Sequence, residues 1–258
     1  SPTYAKEITS VLGSHGISDV INQAPEKVTG VLNGCDYSQW DPATDPLICE
    51  NYSASDTSGK LSCKLKLQQE AGLPVVKSVP VIGMICRVTR QKGFDFIMPI
   101  LEQVLRHKVQ IVIMGTGDET ITSQLHGMRH AFPDKFAFVE AFKPQWAHSI
   151  EAGSDFFLMP SEFEPCGLNQ MYSLAYGTLP IVRKVGGLAD TIIDASHDNG
   201  TGFVFEDASS ASLLSTIRNA LLTYQESPGR IKQMINLGMR TRFTWESAAL
   251  QYEAVYLK

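Results

Sequence analysis

Residues 156–194 read FFLMPSEFEPCGLNQMYSLAYGTLPIVRKVGGLADTIID. Phe156-Phe157-Leu158-Met159 is apolar at consecutive positions, as in a parallel strand buried on both faces, and Pro160 ends it. A polar turn leads through Glu164-Pro165-Cys166-Gly167 into a helical segment. Gly177-Thr178 breaks that helix before a second buried run, Leu179-Pro180-Ile181-Val182. The order strand, loop, helix, strand puts the loop at the carboxyl ends of a parallel sheet, where ligands bind, and the amides of the next helix point at any anion held there. One carboxylate, Glu164, and one thiol, Cys166, thus stand beside a natural phosphate site.

Upstream the same alternation repeats. Expected strands are Val79–Ile85, Gln110–Met114 and Phe136–Ala141, and expected helices Phe94–Arg106, Glu119–Phe132 and Gln145–Ala152. Gly202–Phe205 adds a short strand. The sequence then turns helical over Ala208–Tyr224, Pro228–Gly238 and Glu246–Tyr256, the last with Tyr252 and Tyr256 on one side, as in a helix that packs across another domain. Buried runs alternating with amphipathic helices imply right-handed βαβ units: an α/β fold, a Rossmann-like parallel sheet flanked by helices. Leu61, Leu65, Leu67 and Leu73 give Lys60–Gly72 a helical face. Before it, residues 41–59 are rich in Asp, Pro, Ser, Thr and Asn, the chemistry of a linker. Nearer the start, Pro2–Val11 reads as a helix capped by Thr3, and Lys27–Leu32 as a strand.

Bulk properties narrow the function. Of 258 residues 43% are hydrophobic and 19% charged, a globular balance with enough chain for a large core. A net charge of −5 argues against a nucleic-acid partner held by phosphate attraction. The five cysteines, Cys35, Cys49, Cys63, Cys86 and Cys166, form no CxxC pair and suit free thiols in a reducing, cytoplasmic compartment. No apolar run is long enough to span a bilayer, so no membrane role is expected. The sequence begins Ser1-Pro2-Thr3-Tyr4 without a methionine, and more chain is expected upstream.

At the end of the first strand, Cys86-Arg87-Val88-Thr89-Arg90-Gln91-Lys92-Gly93 crowds three cations into one βα turn on the edge that carries Glu164. Read locally, the turn is either a diphosphate clamp, with Arg as a planar fork and Lys as a point charge, or a solvated basic helix start. Gly115 and Gly117, in Met114-Gly115-Thr116-Gly117-Asp118, form a GxG that either approaches a ligand or serves a tight turn. Gly186-Gly187-Leu188-Ala189-Asp190-Thr191 reads as a third glycine loop on the same edge. Glu164 is open to the roles of acid, base, nucleophile, hydroxyl ligand or plain surface carboxylate, and with no second carboxylate fixed beside it by spacing a paired-carboxylate hydrolase is not supported. Cys166 lacks a base placed by sequence; His107, His126, His130 and His148 are candidates only in being present. Neither HExxH nor GxSxG occurs, so metal and serine-triad chemistry lack support.

These residues together resemble the bacterial glycogen synthases and plant starch synthases, retaining ADP-glucose glucosyltransferases of GT-B architecture. The resemblance rests on Ser1-Pro2-Thr3-Tyr4-Ala5, Asn33-Gly34 with Trp40, Arg87 with Gln91-Lys92-Gly93, Gly115-Thr116-Gly117-Asp118 and His148 with Ala152-Gly153-Ser154-Asp155. It continues through Pro160-Ser161, Phe163-Glu164-Pro165-Cys166-Gly167-Leu168, Tyr176-Gly177-Thr178, Gly186-Gly187-Leu188 and Gly200-Thr201-Gly202-Phe203 to Trp245. FEPCGL in register with RxxxQKG is the specific part. Glu162 and Ala175 stand where family members often carry arginine, and Tyr172 where wider GT-B families place a second acidic residue.

The resemblance implies the C-terminal, donor-binding half of a GT-B enzyme. Residues 1–40 are then the end of an N-terminal domain, 41–59 a linker, 60–240 the nucleotide-sugar domain and 241–258 a C-terminal crossing helix. The implied catalytic residues are Glu164, Arg87 and Lys92. Arg87 and Lys92 would bind the donor diphosphate, with Gly115, Gly117, Phe142 (beside adenine), Cys166, Gly167, Leu168, Asn169 (near the distal phosphate) and Tyr172 as further donor contacts. No cofactor or metal is implied. The implied partners are ADP-glucose or ADP, an α-1,4-glucan acceptor and the enzyme's own N-terminal domain, in a cytoplasm or plastid stroma. On this basis the chain is expected to bind ADP or ADP-glucose weakly and to transfer no glucose alone. The family retains anomeric configuration. With no second nucleophile marked, front-face attack assisted by the leaving phosphate is the expected route, Glu164 binding sugar hydroxyls or stabilising positive charge. The competing readings are a non-catalytic nucleotide- or glucan-binding module and another retaining GT-B transferase of the sucrose- or trehalose-phosphate type. A glucan phosphorylase would need a pyridoxal-phosphate lysine, for which no motif is found.

Overall fold

The computed structural model describes residues 1–11, 13–14 and 16–257. Helices α1 (Pro2–Glu7), α2 (Ser18–Ile21) and α3 (Ser58–Glu70) precede the sheet. Then follow β1 (Val81–Ile85), α4 (Phe94–Ile97), α5 (Leu101–Leu105), β2 (Gln110–Met114), α6 (Glu119–Ala131), β3 (Phe136–Val139), α7 (Pro144–Gly153) and β4 (Phe156–Met159). The chain closes with α8 (Asn169–Ala175), β5 (Leu179–Arg183), α9 (Gly186–Thr191), β6 (Phe203–Phe205), α10 (Ser210–Glu226), α11 (Pro228–Arg240) and α12 (Trp245–Tyr256). The six strands form one parallel sheet in the order β3-β2-β1-β4-β5-β6.

That order reverses between β1 and β4, whose carboxyl ends therefore diverge into separate loops and leave a crevice, the place where open α/β sheets bind ligands. Strand residues alternate between two buried faces. Ile82, Met84, Phe156 and Leu158 pack toward α4, α5, α6, α10 and α11. Val81, Ile85, Phe157 and Met159 pack toward α3, α7, α8 and α9. Phe156 and Phe157 are wholly buried, and each contributes about 2–3 kcal/mol by area. A smaller cluster of Tyr52, Cys63, Ala152, Ala175, Tyr176 and Met239 fastens the segment before α3 to the body.

Several sequence expectations are corrected. Lys27–Leu32 is not a strand: a 3₁₀ turn covers Pro25–Lys27 and the chain then runs irregularly, because no neighbouring strand pairs with it among the described residues. The helix expected over Phe94–Arg106 is two helices, since Pro99 has no amide to donate and separates α4 from α5. The first helix stops at Glu7 instead of Val11. Ser1 caps it, while Thr3 turns outward to Asp190 through amide and hydroxyl bonds of 2.9 and 2.6 Å. β3 ends at Val139, before Ala141. The stretch Gly186–Thr191, read as a loop, is the helix α9. The other elements agree with expectation to within two residues at each end.

The chain before residue 41 touches the body at both its start and its end. The Ser1 amine donates to the Pro165 carbonyl at 3.1 Å and the Gly186 amide donates to Glu7 Oε1 at 2.9 Å. Trp40 lies between His148 and Tyr172, with ring centroids 3.8 and 4.2 Å away in near-parallel stacks. No helix among the described residues is long and apolar enough to cross a membrane.

Candidate nucleotide-sugar site

The crevice at the strand reversal holds a cavity of about 340 Å³. Its polar wall is made by Lys92, Ser161, Glu164 and Asn169, and its apolar wall includes Met84, Leu158 and Phe142. Lys92 comes from the turn after β1 and Glu164 from the loop after β4. Their ammonium and carboxylate meet at 2.6 Å, with side chains 18% and 9% exposed, which strengthens the pair by excluding solvent. Ser161 donates its hydroxyl to the same carboxylate oxygen, Oε2, at 3.0 Å. Among the described residues no group bonds to Oε1, and it is not sealed from solvent. It is the atom left for a ligand.

The two loops are fastened to each other. The Glu162 amide donates to the Gln91 carbonyl at 2.8 Å, and Gln91 Nε2 donates to the Phe163 carbonyl at 2.5 Å. The Gly187 amide donates to the Glu164 carbonyl at 3.0 Å, so the start of α9 supports the acid from behind. The fully buried Gln170 donates to the Cys166 and Gly167 carbonyls at 3.0 and 3.2 Å and fixes the turn before α8. Asn169 Nδ2 donates to the Ile85 carbonyl at 2.8 Å, tying the head of α8 to the end of β1.

The residues singled out in the sequence fall into two groups. Lys92, Glu164, Phe142, Gly167, Leu168 and Asn169 share the cavity wall, and Phe142 is 71% exposed. Arg87 lies in the same turn as Lys92, exposed, and forms no hydrogen bond or ion pair among the described residues. Gly115 and Gly117 press against the chain after β1: a Cβ on either would lie 2.0 or 2.1 Å from the carbonyls of Cys86 and Val88. Their visible role is to let these turns lie side by side, joined by the Val88–Gly117 bridge. The Tyr172 ring is taken up by Trp40. The Cys166 sulfur turns from the cavity toward Asn33, whose amide donates to it at 3.4 Å.

Burial pushes the Cys166 thiol up, which keeps it protonated and works against nucleophilic use. Cys86, in the cavity wall, is pushed up to about 12 by burial, with Glu164 adding to the shift and Lys92 and Arg87 opposing it. His148 is bound elsewhere, its Nδ1 2.7 Å from the buried Asp45 carboxylate, which also accepts the Tyr176 hydroxyl at 2.5 Å. Ser161 is the cavity residue to which sequence reading assigned no role. Its place three residues before Glu164 was the available signal.

The family described as "Glycosyl transferases group 1" matches residues 67–235. Glycogen synthase from Aeromonas salmonicida (strain A449) is 49% identical over 258 residues, covering 99% of this chain and 53% of that protein. Glycogen synthase from Vibrio atlanticus (strain LGP32) is 50% identical over 261 residues, covering 99% of this chain and 54% of that protein. The solved catalytic domain of starch synthase IV from Arabidopsis thaliana, bound to ADP and acarbose, superposes with a TM-score of 0.94 at 33% identity, covering 100% of this chain and 54% of that one. The chain thus spans about half the length of the relatives it matches, and its fold is that of the C-terminal domain of a GT-B glycosyltransferase. With the match running across the sheet and both loops of the cavity, the chain belongs to the group 1 glycosyl transferases.

Proposed function

We propose that this chain is the donor-binding half of a retaining glucosyltransferase that moves glucose from ADP-glucose to the non-reducing end of an α-1,4-glucan. The observation that carries the reading is the Lys92–Glu164 pair at the strand reversal, a cation and an acid 2.6 Å apart on the wall of a sugar-nucleotide-sized cavity. The starch synthase IV domain, solved with ADP, adds support.

In this reading Lys92 and Arg87 take the diphosphate, and the charge that develops as it leaves is met by those side chains and by loop amides at Gly167 and Leu168. No metal is assigned a role. Glu164 Oε1 binds a hydroxyl of the transferred glucose or faces the positive charge at its anomeric carbon. Phe142 flanks the base, and Asn169 lies near the distal phosphate. The leaving phosphate accepts the acceptor's proton on the same face, which retains configuration without a covalent sugar intermediate. The acceptor is held across an interdomain cleft whose other wall is an N-terminal domain, in a cytoplasmic or plastid-stroma setting. Gly115, Gly117, Cys166 and Tyr172 support the donor loops from behind.

The test uses the full-length protein that contains this chain, assayed for transfer of labelled glucose from ADP-glucose and from UDP-glucose to glycogen. Transfer from ADP-glucose that is abolished by Glu164→Ala supports the reading. Nucleotide binding by calorimetry with no transfer from either donor would instead favour a non-catalytic binding module. Chain elongation by residues 1–258 alone would refute the division of labour between the two halves.

A further inference from the structure

Two thiols meet in a cleft that shares no lining residue with the donor cavity. Cys49 is exposed in the irregular segment before α3, Cys63 is buried within α3, and their sulfurs stand 3.7 Å apart. The Cys63 thiol itself donates to the Glu50 carbonyl at 3.3 Å. Both sulfurs border a cleft of about 220 Å³, shared with Lys66, Glu70, Gln145 and Ser149 and large enough for a small oxidant. The other thiols are occupied differently: Cys35 meets the Met171 sulfur at 3.5 Å, Cys166 takes the Asn33 amide, and Cys86 lines the donor cavity.

We propose that Cys49 and Cys63 form a reversible oxidation site, at which hydrogen peroxide converts the two thiols to a disulfide. The Cys49 thiolate attacks one peroxide oxygen and the O–O bond breaks. Cys49 becomes a sulfenic acid, and the departing hydroxide leaves as water with the proton that Cys49 lost. Cys63 then attacks the Cys49 sulfur, the S–O bond breaks, and the oxygen leaves as a second water carrying the Cys63 proton. Two electrons pass from the thiols to the peroxide. The sulfurs close from 3.7 Å to about 2.05 Å, and the exposed segment at Cys49 makes that movement while Cys63 stays in its helix. Burial and the Cys63 sulfur push the Cys49 thiol up to about 11, which slows the first step at neutral pH and keeps the pair reduced until oxidant accumulates.

The bridge braces a segment with structural duties. Tyr52, inside the closed loop, donates its hydroxyl to the Tyr176 carbonyl at 2.8 Å, and Asp45, just before it, holds His148 and Tyr176. The cleft shares no lining residue with the donor cavity, so the site is independent of the proposed transferase chemistry.

The test treats the full-length protein with hydrogen peroxide, blocks remaining thiols with N-ethylmaleimide, and maps a non-reduced digest by mass spectrometry. The expected result is a peptide linking Cys49 to Cys63, two fewer titratable thiols, and a melting temperature several degrees higher, all reversed by dithiothreitol. Cys49→Ser, at an exposed position, abolishes the link, while Cys63→Ser checks the same point only if it folds. Recovery of Cys49 as sulfinic acid beside an alkylated Cys63, of both thiols unmodified, or of a bridge from Cys49 to another cysteine would overturn the proposal.

Discussion

Lys92 and Glu164, from loops after two neighbouring strands, share one ion pair at 2.6 Å, so any phosphate bound beside Lys92 competes with Glu164 for the ammonium. The two residues therefore have opposite effects on nucleotide affinity. Lys92→Met removes the cation and is expected to weaken ADP binding at least tenfold by calorimetry. It also strands a nearly buried carboxylate, at a stability cost toward the low end of about 3–5 kcal/mol. Glu164→Gln frees the ammonium, and ADP binds as tightly as before or more tightly. Equal weakening by the two substitutions would show that the pair is a structural strut rather than a ligand site.

Ser161 gives Glu164 Oε2 its second donor and so settles which oxygen remains for the ligand. Ser161→Ala is expected to cost about 1.5–3 kcal/mol in stability, the range for a hydrogen bond to a charged acceptor. In the full-length protein it should lower kcat for glucose transfer while leaving KM for ADP-glucose nearly unchanged, because the diphosphate contacts remain. Ser161→Thr keeps the hydroxyl and restores part of the loss. A KM effect with unchanged kcat would contradict a positioning role.

Gly186 has φ +43°, and a Cβ there would lie 1.9 Å from the Glu164 carbonyl. Gly186→Ala therefore pushes the acid's own backbone and is expected to cost about 2 kcal/mol or more and to lose ADP affinity as well. Gly127, in the middle of α6, has open space around it, and Gly127→Ala should raise stability by about 0.5–1 kcal/mol without changing binding. Urea unfolding and calorimetry on both variants check the contrast.

Most of the sheet was legible in the sequence because its strands are buried on both faces and read as apolar runs, as at Phe156–Met159 and, after Gln110, at residues 111–114. The strand order was not, because it depends on which helix crosses which face. That order is what puts the turn of Lys92 opposite the loop of Glu164. Lys27–Leu32 misled because β-branched residues favour a strand only where a partner is present. Cys166 was legible as a motif member but not in its direction: its sulfur faces Asn33, a contact 133 positions away in the chain. Ser161 was missed for a different reason: its place three residues before Glu164 was in view, but spacing alone does not show which hydroxyl an acid's oxygen accepts from.

Glu151 on α7 gives the molecule a pH dependence of definite sign. Its carboxyl is wholly buried, accepts the Ser173 hydroxyl at 2.7 Å through Oε2, and leaves Oε1 without a partner. Burial pushes it up to about 8 from an ordinary 4.5, with the Ser173 bond and the nearby Lys60 charge opposing the shift. At neutral pH the folded chain therefore holds a proton that the unfolded chain has released. Stability from this group is fully present below the unfolded value and falls as pH rises through the window up to about 8, by as much as about 1.4 kcal/mol per pH unit. Lys60 is lowered to about 8 by burial and acts with the opposite sign, but only above that value, so the two windows separate. Glu151→Gln keeps the shape and removes the titration. Urea midpoints measured from pH 5 to pH 8 should decline less steeply in the variant, which matches the parent at the acid end and exceeds it at the alkaline end. Parallel declines in the two proteins would mean that residue 151 carries its charge in the folded state after all.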